Sequence, residues 1–296
     1  MHQTHPIERV FHICNEIMAH AKHALVFEPG VDCLAEQIKG VKFKPIGYPK
    51  ALEFCPDEFK VQSLVRYEMT AASINYCYWY GRDVIRPTGG GANTMYELLD
   101  RAWNRGEQDF REGLITERFP LVEARLRHLD EVYSDNGLAY ASRLSRAILD
   151  QQNGTQSSYN QTLDWFFTEL LLVCPGFADD ILLKRASLFF MLLYRRIGAF
   201  KNDIHKLPIP ADYQVPKMLK HLGCLLYTEA LEGKVRNEVP IMSGSAEECE
   251  IRAASILACQ QIAERAGITM CDVDEYLWTR RKECKDPFHL TWTTHY

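Results

Sequence analysis

The segment around Asp212 carries the residue types that most directly suggest chemistry. Within residues 207–223, Pro216 fits only a first turn and Gly223 suits a C-terminal stop. One helical face carries the apolar residues Val215, Met218, Leu219 and Leu222. We therefore expect Asp212 at or just before a helix N-terminus, where free backbone N–H groups and the helix dipole favour an ionised carboxylate. A fixed anion can stabilise positive charge in a reaction, although a simple N-cap explains the pattern equally well.

Helical periodicity predicts the elements that must position this carboxylate. Apolar residues at three- and four-residue steps predict a first helix within residues 7–28, whereas residues 41–59 have the Pro, Gly and charge content of a connecting segment. Further helices are predicted at residues 96–104, 121–133, 137–152, 158–173 and 181–197. The C-terminal two-thirds should therefore be a helical bundle.

One stretch of the N-terminal third has a β pattern instead. Residues 73–80 are rich in β-branched and aromatic side chains, and glycines bound a second short apolar run at residues 84–86. A small β-hairpin beside the helices is the prediction for this region. The fold class is therefore mainly α, with a small β-hairpin in the N-terminal third.

Composition and charge limit the partners of this 296-residue chain. Its formal net charge is −5 and its cations are dispersed, so a long nucleic acid is not expected to bind stably. A small ligand with one phosphate remains compatible, because two or three local cations suffice to bind it. The hydrophobic share of 47% allows a large buried core.

Cysteine spacing bears on whether the chain binds a metal, and the N-terminal sequence bears on its cellular compartment. The ten cysteines include no CxxC pair and no Cys/His group at zinc spacing, so we expect mostly buried, reduced thiols and no metal. Neither a signal-peptide layout nor an apolar run of about 20 residues is present, so no membrane association is expected. The sequence thus predicts a cytoplasmic protein.

Residues 210–216, Pro-Ala-Asp-Tyr-Gln-Val-Pro, resemble the Phe-Ala-Asp-Tyr-Arg-Val/Leu-Pro motif of the queuosine 5′-phosphate N-glycosidase (queuosine salvage protein) family. Other short segments resemble the same family in the same order. These matches are at residues 74–79, 120–125, 184–186, 250–252, 276–278 and 287–289, followed by Tyr296. The likeness spans about residues 60–296, and many ordered matches are more specific than one motif.

The resemblance implies an architecture similar to that of the helix-hairpin-helix DNA glycosylases, whose catalytic Asp also precedes a helix. It predicts one domain over residues 1–296, with an N-terminal lobe of about 1–115 and a helical catalytic lobe of about 116–296. The hairpin with which those enzymes grip DNA is absent here, and Tyr194 stands where they place a Schiff-base lysine. Both differences favour a monofunctional hydrolase acting on a free nucleotide.

The family's reaction explains why a carboxylate is needed. Hydrolysis of queuosine 5′-monophosphate to queuine and ribose 5-phosphate builds positive charge on the sugar, which Asp212 would stabilise or attack. The departing 7-deazaguanine has no N7 to protonate, so donors and stacking must stabilise it. Water is the acceptor and the resemblance implies no cofactor.

The resemblance also assigns a base-binding role to Asp274, whose carboxylate could accept from a guanine-like N1–H and exocyclic amine, or pair with the ammonium of the queuine side chain. A plain acid at a helix start is the alternative. Stacking is expected from Tyr78 and Trp79, with Trp278 as an alternative, and an amide contact from Asn75. The candidates for phosphate binding are Lys201, Arg252 and His289.

Several positions differ from the family pattern. Pro210 replaces a Phe, Glu275 a Tyr, Thr279 an Asp, and Ala72 another Asp. Pro210, Glu275 and Thr279, together with Tyr213 of the main motif, complete the predicted substrate-binding set. These replacements leave Asp212 in place and leave open the exact base and its decoration.

Two other functions are compatible with the sequence. A glycosylase that flips bases out of DNA or RNA would fit the Asp-before-helix layout, but the net charge and the missing hairpin oppose it. A non-catalytic protein that binds a modified nucleoside would fit the altered positions. The expected partner is a small-molecule nucleotide, and the oligomeric state stays open.

Overall fold

The computed structural model describes residues 5–41, 43–79, 91–155 and 162–296. Within these ranges the chain forms thirteen α-helices and two short strands. They are α1 (Pro6–Ala19), β1 (Ala24–Val26), α2 (Glu28–Ile38), α3 (Asp57–Ser73), α4 (Gly91–Ala102), α5 (Glu107–Thr116), α6 (Val122–Val132), α7 (Asp135–Gln152), α8 (Leu163–Val173), α9 (Lys184–Ile197), α10 (Gln214–His221), β2 (Leu225–Tyr227), α11 (Glu229–Arg236), α12 (Ala246–Ala266) and α13 (Met270–Arg280). The predicted mainly α class is confirmed.

In the described part of the chain the β content is a two-stranded antiparallel sheet, and its position differs from the predicted one. β1 pairs with β2 in the register Leu25 opposite Leu226, so the sheet joins segments that are distant in sequence. Ser73 ends α3, and residues 74–79 form no strand. The second predicted strand, at residues 84–86, lies outside the described residues.

Arg125 explains why the aromatic segment after α3 needs no partner strand. This fully buried residue of α6 donates hydrogen bonds to the main-chain carbonyls of Ile74, Tyr76 and Cys77. Its guanidinium also lies over the ring of Tyr76, 4.4 Å from the centroid. One cation therefore satisfies carbonyls that a neighbouring strand would otherwise have to satisfy.

The core is built around α12, which packs against α1, α2, β1 and α13. Ala253, Ala254 and Ala258 are fully buried on this helix, and small side chains allow the neighbouring backbones to approach closely. A second group of contacts is made by α3, which packs against α7 and α9. One hydrophobic cluster extends from Ile7 to Cys284. The predicted division into two lobes stays a prediction.

Three helix starts position the residues considered below. Asp180 accepts hydrogen bonds from the backbone N–H groups of Leu182 and Lys184, so its carboxylate caps α9. Asp212 accepts hydrogen bonds from the first two backbone N–H groups of α10 in the same way. The third helix, α13, begins with a capping box at Thr269. Across the residues the structure describes, no helix is long and apolar enough to cross a membrane.

Candidate functional site

A cavity of about 430 Å³ opens between the segment after α3 and the helices α4, α9, α10 and α13. Its volume lies within the range of small-molecule sites, which is about 300–1,000 Å³. Asp212 lines it from the segment just before α10, and Asp274 lines it from α13. The fold thus brings the two carboxylates singled out in the sequence to one enclosed space.

Asp212 lies where the sequence predicts it, immediately before α10. Its Oδ1 accepts hydrogen bonds from the backbone N–H groups of Gln214 at 2.7 Å and Val215 at 3.1 Å. These bonds hold the carboxylate against the first turn of the helix. Among the described residues no group donates to Oδ2. One oxygen therefore anchors the half-buried side chain and the other is available to a ligand.

Asp274 lies in the middle of α13 and not at its start. Thr269 is the N-cap, and Asp272 completes the capping box, so the helix-start alternative for Asp274 is wrong. Asp274 is 7% exposed, and no described residue donates a hydrogen bond to it. Burial, and then the nearby charge of Asp212, raise its pKa to about 8. This carboxyl group is thus buried in the cavity wall without a hydrogen-bond donor from the described part of the chain.

The raised pKa of Asp274 predicts a pH-dependent cost to stability. The unfolded chain loses this proton near the ordinary carboxyl pKa of 3.8, and the folded protein retains it up to about pH 8. Between these values unfolding releases a proton, so the contribution of this group to stability falls as pH rises. Asp274→Asn should therefore raise the melting temperature relative to the parent by more at pH 8 than at about pH 5.

Melting curves of both proteins at the two pH values check this expectation. The quantity to compare is the difference in melting temperature between Asp274→Asn and the parent at each pH, because other groups also titrate in this range. An equal difference at both pH values would contradict the raised pKa.

Lys184 is a cavity residue that the sequence analysis did not select. As the first residue of α9 it is buried, and its Nζ donates to the main-chain oxygen of Asn75 at 2.7 Å and to its Oδ1 at 2.9 Å. Burial lowers its pKa to about 8, although the charge of Asp212 acts in the opposite direction. A lysine in a first helical turn is unfavourable for the helix dipole, which is the signal that could have revealed it.

Most of the predicted site residues reach the cavity. Besides the two carboxylates, its lining includes Asn75, Tyr78, Pro210, Tyr213, Glu275 and Thr279. Trp278, the alternative stacking residue, also lies there. Four predicted residues do not line it: Trp79, Lys201, Arg252 and His289.

Those four side chains are engaged elsewhere or point to solvent. Arg252 is buried in a bidentate pair with Asp180, at 3.0 and 2.6 Å. The ring nitrogen of His289 lies 3.0 Å from the Tyr296 hydroxyl, and burial lowers the His289 pKa to about 3. Trp79 packs edge-on against another tryptophan, and Lys201 is exposed in the turn after α9.

Arg252 and His289 lie outside the cavity and contact residues that form or adjoin its wall. The Nε of Arg252 donates to the main-chain oxygen of Ala211, next to Asp212, at 3.0 Å. Its guanidinium also lies over the ring of Tyr296, a cavity residue, and His289 contacts the hydroxyl of that ring. Arg252 is buried, is paired with Asp180 and Glu248, and does not line the cavity, so Arg252 and His289 hold the shape of the site instead of contacting a phosphate in it.

Three arginines that the sequence analysis did not select line the cavity. Arg195 pairs with Glu275 at 3.2 Å, and Arg196 pairs with the buried Glu68. Arg281 follows α13 and has no carboxylate partner among the described residues. Its guanidinium stacks 3.4 Å from the Trp278 ring centroid. Burial lowers the pKa of Arg281, while the charge of nearby Asp212 opposes this effect.

The chain is similar to proteins named as N-glycosylases/hydrolases. The profile of the family described as queuosine salvage protein matches residues 178–296, which include α9, α10 and α13. The queuosine 5′-phosphate N-glycosylase/hydrolase of Sphaerobacter thermophilus is 27% identical over 274 aligned residues, covering 79% of this chain and 82% of that protein.

Two further proteins with the same name are similar over shorter stretches. The Dictyostelium discoideum protein is 32% identical over 126 residues, covering 38% of this chain and 39% of that protein. The Schizosaccharomyces pombe protein is 27% identical over 193 residues, covering 58% and 52%, respectively. The chain is therefore similar to the queuosine salvage protein family over residues 178–296, and to individual proteins of that name over longer stretches.

Proposed function

We propose that this protein hydrolyses the N-glycosidic bond of queuosine 5′-monophosphate, releasing queuine and ribose 5-phosphate. The observation that carries the proposal is the geometry of Asp212, which is anchored through Oδ1 and presents Oδ2 in a ligand-sized cavity. The names of the similar proteins support the choice of substrate. A cytoplasmic location and action on a free nucleotide, not on a polynucleotide, are part of the proposal.

Asp212 acts on the sugar in this scheme. As the C–N bond breaks, positive charge builds on the anomeric carbon and ring oxygen, and a nearby carboxylate stabilises it or captures it covalently. Because the two N–H bonds already fix Oδ1, little reorganisation is needed during the reaction. Water completes the hydrolysis by either route.

Asp274 holds the base. A guanine-like edge offers an N1–H and an exocyclic amine, both donors, and Asp274 is a buried acceptor without a donor from the described protein. Donation from the base would favour the ionised carboxylate, so base binding compensates for the cost of burying it. Lys184 places a positive charge beside both carboxylates and orients Asn75 toward the same cavity.

Arg281 is the proposed phosphate contact. It replaces the predicted candidates in this role because it lines the cavity and has no ion-pair partner among the described residues. Charged hydrogen bonds contribute about 1.5–3 kcal/mol, which corresponds to about 10- to 150-fold in affinity. Arg281→Ala should therefore raise KM for the nucleotide by about that factor and leave the affinity for free queuine close to that of the parent.

Arg280→Ala is the matched control for this substitution. Arg280 is the neighbouring residue at the end of α13, contacts the Tyr276 hydroxyl and does not line the cavity. Steady-state kinetics and queuine calorimetry on the three proteins separate the roles. An unchanged KM in Arg281→Ala would remove the phosphate assignment.

Incubation of the protein with queuosine 5′-monophosphate, followed by chromatography, tests the proposed function. Equimolar queuine and ribose 5-phosphate are the expected products. Tight queuine binding without release would instead indicate a binding protein. Salt-dependent retention of a duplex in a gel, with release of a base from it, would indicate a base-flipping glycosylase.

A further inference from the structure

A second group of chemically reactive side chains lies at the far end of α10. His221, Cys284 and Asp286 each offer one ligand atom, and these three atoms lie within 4.8 Å of one another. The Sγ of Cys284 is 3.7 Å from the Oδ2 of Asp286, and the Nδ1 of His221 is 3.8 Å from the same oxygen. None of the three residues lines the cavity that contains Asp212.

The donor set and its dimensions match one kind of metal. Zinc binds Cys sulfur at about 2.3 Å, His nitrogen at about 2.0–2.1 Å and carboxylate oxygen at about 2.0–2.2 Å. Tetrahedral angles then place the ligand atoms roughly 3.3–3.6 Å apart. The two distances to Asp286 exceed this spacing by a few tenths of an ångström, and the distance between the ligand atoms of His221 and Cys284 exceeds it by at most about 1.5 Å. The His221 and Asp286 side chains are 40% and 59% exposed, so rotation of these side chains can close the gaps.

We propose that His221, Cys284 and Asp286 form a zinc-binding site, with water as the fourth ligand. Zinc binding releases the thiol proton of Cys284 to solvent, while neutral His221 and ionised Asp286 bind without losing a proton. A thiolate with an imidazole selects zinc over magnesium or calcium, which prefer oxygen donors. The site does not depend on the proposed hydrolase activity.

The position of the three ligands gives the metal a structural consequence. His221 is the last residue of α10, whose first turn anchors Asp212, and the other two ligands follow α13 and Arg281. Between them the Nζ of Lys217 already donates to the Arg281 main-chain oxygen at 3.3 Å. A bound zinc ion would therefore join α10 to the segment after α13 by a second, stronger link.

Zinc titration of metal-depleted protein tests the site without any nucleotide. Competition with a chromogenic chelator should show one tight equivalent of zinc in the parent protein, with a rise in melting temperature. Cobalt(II) should give a thiolate charge-transfer band. Cys284→Ser should lose that band and weaken zinc binding by at least about 100-fold.

Two further variants keep the test decisive. His221→Gln changes an exposed ligand and should weaken zinc binding even if Cys284→Ser folds poorly. Cys33→Ser removes an exposed cysteine that is not part of the group and should bind zinc as the parent does. The proposal is overturned if the parent binds no zinc at equimolar concentration, or if Cys284→Ser and His221→Gln bind it as tightly as the parent.

Discussion

Replacing Asp212 by Asn should lower turnover of queuosine 5′-monophosphate by about 1,000-fold or more and leave the protein folded. The amide oxygen of Asn can still accept the two hydrogen bonds from Gln214 and Val215, so the start of α10 is retained. What the substitution removes is the negative charge, which alone can stabilise or capture the sugar cation. Single-turnover release of queuine measures the effect.

Melting curves serve as the control for this variant. Asn and Asp are comparable N-caps, whereas loss of a cap costs about 1 kcal/mol and could be mistaken for lost catalysis. The melting temperature of Asp212→Asn should therefore stay close to that of the parent. Turnover equal to that of the parent would rule out a catalytic role for this carboxylate.

The second large effect is expected at Asp274, where replacement by Ala should reduce the affinity for free queuine. An unpaired buried donor on the ligand costs about 1–3 kcal/mol, and more when the contact is charged, which corresponds to about 5- to 150-fold in Kd. Queuine has neither ribose nor phosphate, so calorimetry with the base alone isolates this contact from those of Asp212 and Arg281.

Asp272 provides the matched control on the same helix. It belongs to the capping box of α13, lies 3.6 Å from Arg195 and does not line the cavity. Asp272→Ala should therefore lower stability by about 1 kcal/mol and leave queuine affinity unchanged. If Asp274→Ala binds queuine as tightly as the parent, Asp274 does not recognise the base.

The sequence was most informative where the signals are local. The position of Asp212 follows from prolines, a helical face and a stop at Gly223, all within one segment, and Gly223 indeed adopts a left-handed φ of 75°. The helices α6, α7 and α9 were predicted within three residues of their observed bounds, whereas the predicted first helix within residues 7–28 extends past the end of α1 into β1. In contrast, α12 is buried on nearly all sides, so its pattern has little periodicity and it was not predicted.

Properties that depend on distant residues could not be predicted. The segment after α3 has a strand-like composition, but Arg125, far along the chain, satisfies its carbonyls. Arg252 resembles a phosphate ligand in sequence, and only the fold shows its pairing with Asp180. Whether Arg281 is available to bind a phosphate likewise depends on which carboxylates lie near it. Spacing along the chain does not reveal those neighbours.

The most direct test of the central claim compares parent and Asp212→Asn protein in one experiment with queuosine 5′-monophosphate. Enzyme in excess over nucleotide is sampled over time for queuine and ribose 5-phosphate, and queuine affinity is measured in parallel. The parent should release both products in equal amounts, and Asp212→Asn should bind queuine as the parent does and release neither on that timescale. Product release by Asp212→Asn at the parent's rate, or none by the folded parent, would contradict the account.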